Sequence, residues 1–381
     1  MSELLEKKAA SRADRLVSFN LHDFKVPAGN EEEWRFTPLE RIADFFADSA
    51  SGKLYTVEVS GDVAYEEVDR TDARLGQVLP PDDRVGALSW ESFASAHVIT
   101  LAPETKLAGE AIVKIHGTGN TEVSPCHLLI DAKPFSEGTV VIEHTGAARF
   151  AEGIEVQVAA GAHLTLVTVQ DWDDTSAHTL SNRVRVGKDA RFKHIVVSLG
   201  GDIVRVTTNV DFTGPGGDID LLGAYFVDHG QHLEHRLLVE HNYPHCRSNA
   251  TYKGALQGES AHSVWVGDVL IKPEAEGTDS YELNRNLVLT PGATADSVPN
   301  LEIETGEIEG AGHASATGRF DDEQLFYLKS RGIPEHEARR LVVRGFFAEL
   351  INQIGVESVQ EKLMEAIEKE LSMTMGGTDA N

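Results

Sequence analysis

The chain has 381 residues, and its 34 basic and 61 acidic side chains give a formal net charge of −27. A field of this sign repels polyphosphate backbones and anionic lipid, which argues against nucleic acid and membranes as partners. No stretch approaches the roughly 18 uninterrupted apolar residues of a membrane span, and the N-terminus lacks the apolar segment of a signal peptide, so a cytoplasmic protein is expected. Two cysteines, Cys126 and Cys246, are too few for a disulfide scaffold or a four-thiolate metal site.

The chain is longer than one hydrophobic core usually supports, so two or three structural units are expected. Residues 1–95 form the first, a helical or mixed unit. Residues 1–20 are rich in helix formers and carry apolar positions at helical spacing. Asn30 precedes three glutamates, as an N-cap does, and Pro38 fits the first position of a further helix.

Residues 96–320 predict a solenoid built from short β-strands. Apolar and polar residues alternate in many short runs separated by Gly, Asp, Asn or Pro, and helical periodicity is nearly absent. A loose repeat of 28 residues links Ala162, Ala190, Asp218 and Cys246. Repeating strands without helices between them favour a right-handed parallel β-helix, which makes the protein mainly β. A β-sandwich or jelly roll is the alternative, because each also gives many short strands.

Helical signals return in residues 321–375. Asp321 and Gln324 resemble a capping box, the run LFYL (325–328) supplies a buried face, and Gly332 fits the end of this first helix. A second helix is predicted over 335–354 and a third over about 356–373. The apolar positions predicted to line these two helices are Leu341, Val342, Gly345, Phe346 and Leu350, then Val359, Leu363, Ile367 and Leu371. The tail, 376–381, is expected to be disordered.

Catalytic motifs are missing from the sequence. It has no G-x-x-x-x-G-K-[ST] phosphate loop, no G-x-G-x-x-G turn and no G-x-S-x-G elbow, so neither ATP hydrolysis nor another catalytic activity is expected of this chain.

The strongest chemical cluster is the histidine-rich segment 229–246. On a strand over 231–241, His235 and His241 share one face with apolar residues, and Cys246 follows closely. One interpretation is a metal site formed by His235, His241 and Cys246, in a stand-alone β-helix or cupin-like metalloprotein. The other is a set of ordinary polar residues on a solvated β-face, in which some histidines bond to the backbone of the coils and Cys246 is a small buried apolar residue.

A single histidine, His313, lies where strands give way to helices. It is surrounded by Gly and Ala residues, which allow a backbone or a partner to approach the imidazole closely. From the residues alone, a functional histidine and a solvated one remain alternatives.

Several motifs resemble the SufB/SufD family of iron–sulfur cluster assembly proteins over residues 140–350. The family's P-x-LEI segment matches 299–303, its small-residue histidine run matches His313-Ala314, and its FYL-x-SRG-[IL] motif matches 326–333. Within the family the sequence is most similar to SufD, because EEEWRFTPL (31–39) resembles a SufD segment and Ala311 stands where SufB-type sequences carry cysteine.

The resemblance implies a right-handed parallel β-helix with helical N- and C-terminal regions, acting as a non-catalytic subunit beside SufB and the ABC ATPase SufC. His313 would contribute to cluster assembly at the SufB–SufD interface, and residues 321–375 would dock the ATPase. The residues that match the docking motif are Phe326, Tyr327, Leu328, Ser330, Arg331, Gly332 and Phe346.

The same resemblance bears on cofactors and on the isolated chain. No tightly bound cofactor is expected of the chain alone, because Ala311 cannot supply the thiolate that an iron–sulfur unit needs. It implies a transient iron–sulfur cluster or iron held together with SufB, and a reduced flavin (FADH2) in the complex, although this chain has no flavin motif. A self-pairing edge of the β-helix would allow a homodimer when SufB is absent.

Overall fold

Two stacks of parallel strands form a β-solenoid of about eight turns. The computed structural model describes residues 12–320 and 322–375. Each turn contributes one strand to each stack. We call the stack of β6, β8, β10, β12, β14 and β16 the even sheet, the stack of β7, β9, β11, β13 and β15 the odd sheet, and the interior between them the lumen. The long strands β4 and β5 span both sheets.

The strands and helices have the following bounds. The strands are β1 Tyr55–Ser60, β2 Ala64–Asp69, β3 Ser95–Leu101, β4 Lys106–Ala132, β5 Glu137–Val158, β6 His163–Trp172, β7 Ala177–Val186, β8 Arg191–Ser198, β9 Ile203–Phe212, β10 Asp218–Val227, β11 His232–His241, β12 Arg247–Leu256, β13 His262–Ile271, β14 Asp279–Val288, β15 Thr294–Ile303 and β16 Gly310–Arg319. The α-helices are α1 Arg84–Ser92, α2 Asp322–Ser330, α3 Glu335–Ile354 and α4 Glu357–Met375.

The strand register confirms the predicted solenoid. In the even sheet His163 pairs with Arg191, Arg191 with Asp218, and Asp218 with Arg247, all in parallel. The alternative of a sandwich or jelly roll, which is built from antiparallel strands, is therefore wrong. The predicted period of 28 residues describes the first of these steps, but Asp218 aligns with Arg191 and not with Ala190, because turn lengths vary from one coil to the next.

Hydrophobic side chains fill the lumen and also cover both outer faces of the solenoid. The largest cluster lies inside and includes Phe150, Phe192 and Trp265. Helices α3 and α4 pack on the outer face of the even sheet. Residues before β3 cover the outer face of the odd sheet, with Trp34 and Phe45 in the contact. Both sides of the solenoid are thus covered, and among the described residues the stacks end at β15 and β16, each of which pairs with a strand on one side.

The C-terminal helices form where they were predicted, but two of their buried faces differ. In α3 the predicted Leu350 is buried, but the predicted Leu341 is 46% exposed, and the buried face consists of Val343, Phe347, Leu350 and Ile354. These positions, spaced by four, three and four residues, lie against the even sheet. In α2 only Leu325 of LFYL is buried, and Phe326 and Tyr327 point outward. The predicted face of α4 is confirmed for Val359, Leu363 and Ile367.

The described residues before β3 are less helical than predicted. They contain 3-10 segments at Arg12–Asp14, Leu21–Asp23 and Leu39–Phe46, the strands β1 and β2, and α1. Residues 15–20, predicted as helix, are not helical. Three predictions lie outside the described residues: the helix over 1–11, the capping box at Asp321 and the disordered tail at 376–381. No helix among the described residues is both long and apolar enough to span a membrane.

Candidate functional site at the open end of the lumen

His313 lies on the last strand of the even sheet, at the end of the solenoid. The small-residue run around it is the strand β16, which pairs with β14 on one side and has no strand on the other among the described residues. Ala311, two residues earlier on the same face, packs against the core of the lumen. His313 therefore stands on the lumen-facing side of β16, and it is exposed because no further coil covers it.

Glu282 is the residue in register with His313 on the preceding strand, β14. It is 2% exposed, and neither of its carboxylate oxygens has a hydrogen-bond partner among the described residues. Burial, reinforced by the charge of Asp268, raises the pKa of Glu282 to about 8. Gly267 on the opposite sheet makes room for this carboxyl, because a Cβ there would lie 2.7 Å from Glu282 Oε1. A buried acid without a partner thus lies one strand below an exposed imidazole.

A line of polar side chains runs through the lumen toward this end. Gln170, Ser198 and Tyr225 occupy successive in-register positions of the even sheet, and Ser198 Oγ donates to Gln170 Oε1 at 2.8 Å. The Tyr225 ring lies over Gly254, and its hydroxyl donates to Asn286 Oδ1 at 2.6 Å. This row of polar side chains reaches Asn286 on β14, the strand that also carries Glu282.

Further unpartnered polar atoms lie in the last coils. They include Tyr252 Oη, Trp265 Nε1 and Ser297 Oγ, and Trp265 and Ser297 are in register on the odd sheet. Buried polar groups are normally hydrogen-bonded, and exceptions often mark a bound water, ion or ligand. Unpartnered buried polar atoms and the exposed His313 thus occur together at the open end of the lumen.

The predicted metal ligands His235, His241 and Cys246 do not meet. His235 and His241 are six residues apart on β11, which corresponds to about 20 Å along a strand, so one ion cannot bind both. His235 Nε2 bonds Ser198 Oγ at 3.0 Å and His241 Nε2 bonds Ser248 Oγ at 2.8 Å. The joint metal site is therefore wrong.

The solvated-face alternative is also wrong for the two histidines, because both face the lumen and are buried. Burial lowers the pKa of His235 and of His241 to about 3. Cys246 is the small buried residue that its type suggested, 1% exposed, with its sulfur 3.6 Å from the carbonyl oxygens of Gly214 and Pro244.

Another cluster, His144, Glu152 and His178, has the residue types of a metal site and was not predicted. Both imidazole Nε2 atoms contact Glu152 Oε2, at 3.0 and 3.1 Å. Burial raises the pKa of Glu152, but the His144 charge and hydrogen bonds from both histidines lower it to about 2. Trp172 Nε1 donates to His178 Nδ1, so His178 Nε2 carries the proton and cannot also bind a metal. The geometry is that of a buried hydrogen-bonded core.

The residues predicted to dock an ATPase lie on α2 and α3 at the surface. Phe326 is 74% exposed and Tyr327 57% exposed, and the Arg331 guanidinium lies 5.1 Å from the centre of the Tyr327 ring. Ser330 donates to the carbonyl of Tyr327, and Gly332 adopts a φ of +84° where the chain turns toward α3. Phe346 and Leu328 are half-buried. An aromatic patch of this exposure on a single helix is typical of an interaction surface.

Comparison with known proteins assigns the chain to a family. The family model described as SUF system FeS cluster assembly, SufBD core domain, matches residues 115–346. The chain belongs to the SufBD family. An iron–sulfur cluster assembly SufBD family protein of Mycobacterium leprae is 52% identical over 98% of this chain and 97% of its own length. The iron–sulfur cluster assembly protein SufD of Escherichia coli is 26% identical over 91% and 89%, and that of Bacillus subtilis 28% identical over 68% and 60%.

The SufBD core domain spans the coils from β4 onward and the first half of α3, so the lumen, Glu282, His313 and α2 all belong to it. Motif similarity found His313 and the α2 residues. It did not find Glu282. This residue alternates along β14 with Ser280, Asn284 and Asn286, and in the sequence such a row of polar residues looks like the solvent-facing side of a strand. Only the strand register shows that these side chains face the lumen and not the solvent.

Proposed function

We propose that this chain is a SufD-like subunit of a SUF assembly complex, pairing with a SufB-like subunit and a SufC-like ABC ATPase to build nascent iron–sulfur clusters and to assist iron acquisition. The observation that carries the proposal is the exposed His313 at the open end of a SufBD-family solenoid. An imidazole at that position can be reached by a second chain, whereas the histidines deeper in the lumen are buried.

The proposal assigns the SufD role because of Ala311. In the motif that resembles C-S-H-G-A-T of SufB-type sequences, this chain has alanine at the cysteine position. Thiolate is the usual ligand of iron–sulfur clusters, so a cluster formed beside His313 would take its thiolate from the partner. The similarity to two proteins named SufD supports the same assignment.

The proposal gives α2 the role of ATPase docking. Exposed Phe326 and Tyr327 offer apolar area, and α2 contacts α3, which is anchored on the even sheet. A movement of the ATPase could thus be transmitted to the solenoid, because the elements between them are packed directly on one another. The chain itself would be non-catalytic, and assembly would take place in the cytoplasm.

Iron and the nascent cluster are substrates in this account, held only transiently and together with the SufB-like partner. A reduced flavin (FADH2) would act at the level of the complex, and the self-pairing edge of β16 would allow a homodimer when the partner is absent.

Co-expression tests the proposal. This chain, carrying an affinity tag, is produced with a candidate SufB-like chain and a candidate SufC-like ATPase, and the purified material is assayed for both partners and for ATP hydrolysis. We expect all three chains to elute together with ATPase activity. Recovery of this chain alone, when the other two are soluble, would contradict the proposed complex.

A further inference from the structure

Glu282 is a buried acid that the fold has not paired. Within residues 12–320 and 322–375, its carboxylate has neither a hydrogen-bond partner nor an ion pair. Burying a carboxyl group without a partner costs several kilocalories per mole in the ionised form, and the raised pKa reflects that cost. A leucine of similar size would avoid this cost, so packing alone does not explain the acid.

The position of Glu282 indicates what that role is. Strands in one sheet lie about 4.8 Å apart, and in-register residues of parallel strands point to the same side. Glu282 and His313 are such a pair, on the two last strands of the even sheet. Glu282 approaches the open end from inside the lumen, and His313 stands at the rim.

We propose that Glu282 and His313 together bind a ferrous ion at the open end of the lumen. Carboxylate oxygen and imidazole nitrogen are ligands that Fe²⁺ accepts. This inference rests on the proposed function, in which iron is the substrate, and it adds a second iron ligand from this chain. Two protein ligands leave several coordination positions free for water, for sulfide or for a thiolate of the partner, as a site that hands its metal on requires.

The buried cluster at His144, Glu152 and His178 makes a useful contrast. Its hydrogen bonds already occupy the nitrogen atoms that would bind a metal, and all three residues are buried. At the open end the reverse holds, since the carboxylate is unpartnered and the imidazole is exposed. The two clusters contain the same residue types, but only the pair Glu282 and His313 has ligand atoms that are free to bind a metal.

The test is metal binding by the isolated full-length chain. Co²⁺ serves as the probe, because its visible absorption reports nitrogen ligation, and excess Mg²⁺ suppresses binding to the acidic surface, since Mg²⁺ prefers oxygen ligands. Fe²⁺ added in excess without oxygen should displace Co²⁺, although Co²⁺ binds such ligands more tightly than Fe²⁺ does. We expect one Co²⁺ per chain, with Glu282→Gln and His313→Ala each weakening binding at least about tenfold. Asp279→Asn, on the same strand but exposed, is the matched control and should leave binding unchanged.

Equal Co²⁺ affinity in Glu282→Gln and the unmodified chain would overturn the inference. Undiminished Co²⁺ binding in all three variants would also overturn it, because it would indicate binding to surface sites only. Circular dichroism verifies that each variant is folded. Failure here is distinguishable from failure of the proposed function, because the latter is measured by co-elution with the partners, and Glu282→Gln should still co-elute with them.

Discussion

At the scale of single residues, the lumen combines three kinds of titratable group. Buried histidines such as His235 and His241 are held neutral, the acid Glu152 is held ionised by its histidines, and Glu282 is unpartnered. The sequence could not distinguish them, because His, Glu and Asn at alternating positions look the same on a solvated face and in a polar lumen. The environment of each side chain depends on the residues of the neighbouring coils. Only the strand register determines which residues those are.

The buried histidines should make the protein sensitive to mild acid. Burial lowers the pKa of His194, His235 and His241 from 6.5 to about 3. Below about pH 6.5 the unfolded chain therefore binds protons at these histidines and the folded chain does not. As the pH decreases from about 6.5 toward about 3, the free energy of unfolding decreases by about 1.4 kcal/mol per pH unit for each histidine. We expect the urea midpoint to drop between pH 7 and pH 5, and to drop less in His241→Gln. Equal drops would contradict this account of His241.

Close packing of aromatic rings over glycines in the lumen gives a second prediction. A Cβ at Gly254 would lie 1.8 Å from a ring carbon of Tyr225, so Gly254→Ala should reduce the free energy of unfolding by about 1–3 kcal/mol. Gly318→Ala is the control, since nothing lies within 4 Å of a Cβ there. Chemical denaturation measures both. A neutral Gly254→Ala would mean that Tyr225 does not occupy this position.

At the scale of elements, helix existence was predictable and helix orientation was not. Capping and apolar spacing indicated α3 and α4 correctly. The face of α3 was misassigned, because its hydrophobic residues nearly encircle the helix and only the outer face of the even sheet selects among them. The same ambiguity applies to α2, where LFYL was predicted to be buried but Phe326 and Tyr327 are exposed.

Two phenylalanines separate docking from folding in this region. Phe326 is 74% exposed and Phe347 is 1% exposed. Phe326→Ala should change stability by no more than about 0.5 kcal/mol yet reduce co-elution of the ATPase. Phe347→Ala should cost about 3–5 kcal/mol, because it removes a buried ring from the contact with the even sheet. Undiminished ATPase binding by Phe326→Ala would argue against docking on α2.

At the scale of the whole molecule, the solenoid was predictable from its repeat and its ends were not. Alternation and a period near 28 residues indicated stacked coils over 96–320, and parallel pairing bears that out. The run of Gly and Ala around His313 has weak strand character, because glycine and alanine add little side-chain packing. It becomes β16 only because β14 offers a complementary edge. The open end of the lumen is therefore a product of coil stacking, and the candidate site is located there.

The most direct test of the account is the iron and sulfide content of the three-chain complex with and without His313. His313 is exposed, so His313→Ala should fold normally and still co-elute with both partners. After reconstitution with Fe²⁺ and sulfide, we predict several-fold less cluster per complex in His313→Ala than in the unmodified complex, measured by visible absorption and by chemical assay of iron and sulfide. An equal cluster yield from intact complexes of both kinds would contradict a role for His313 in cluster assembly.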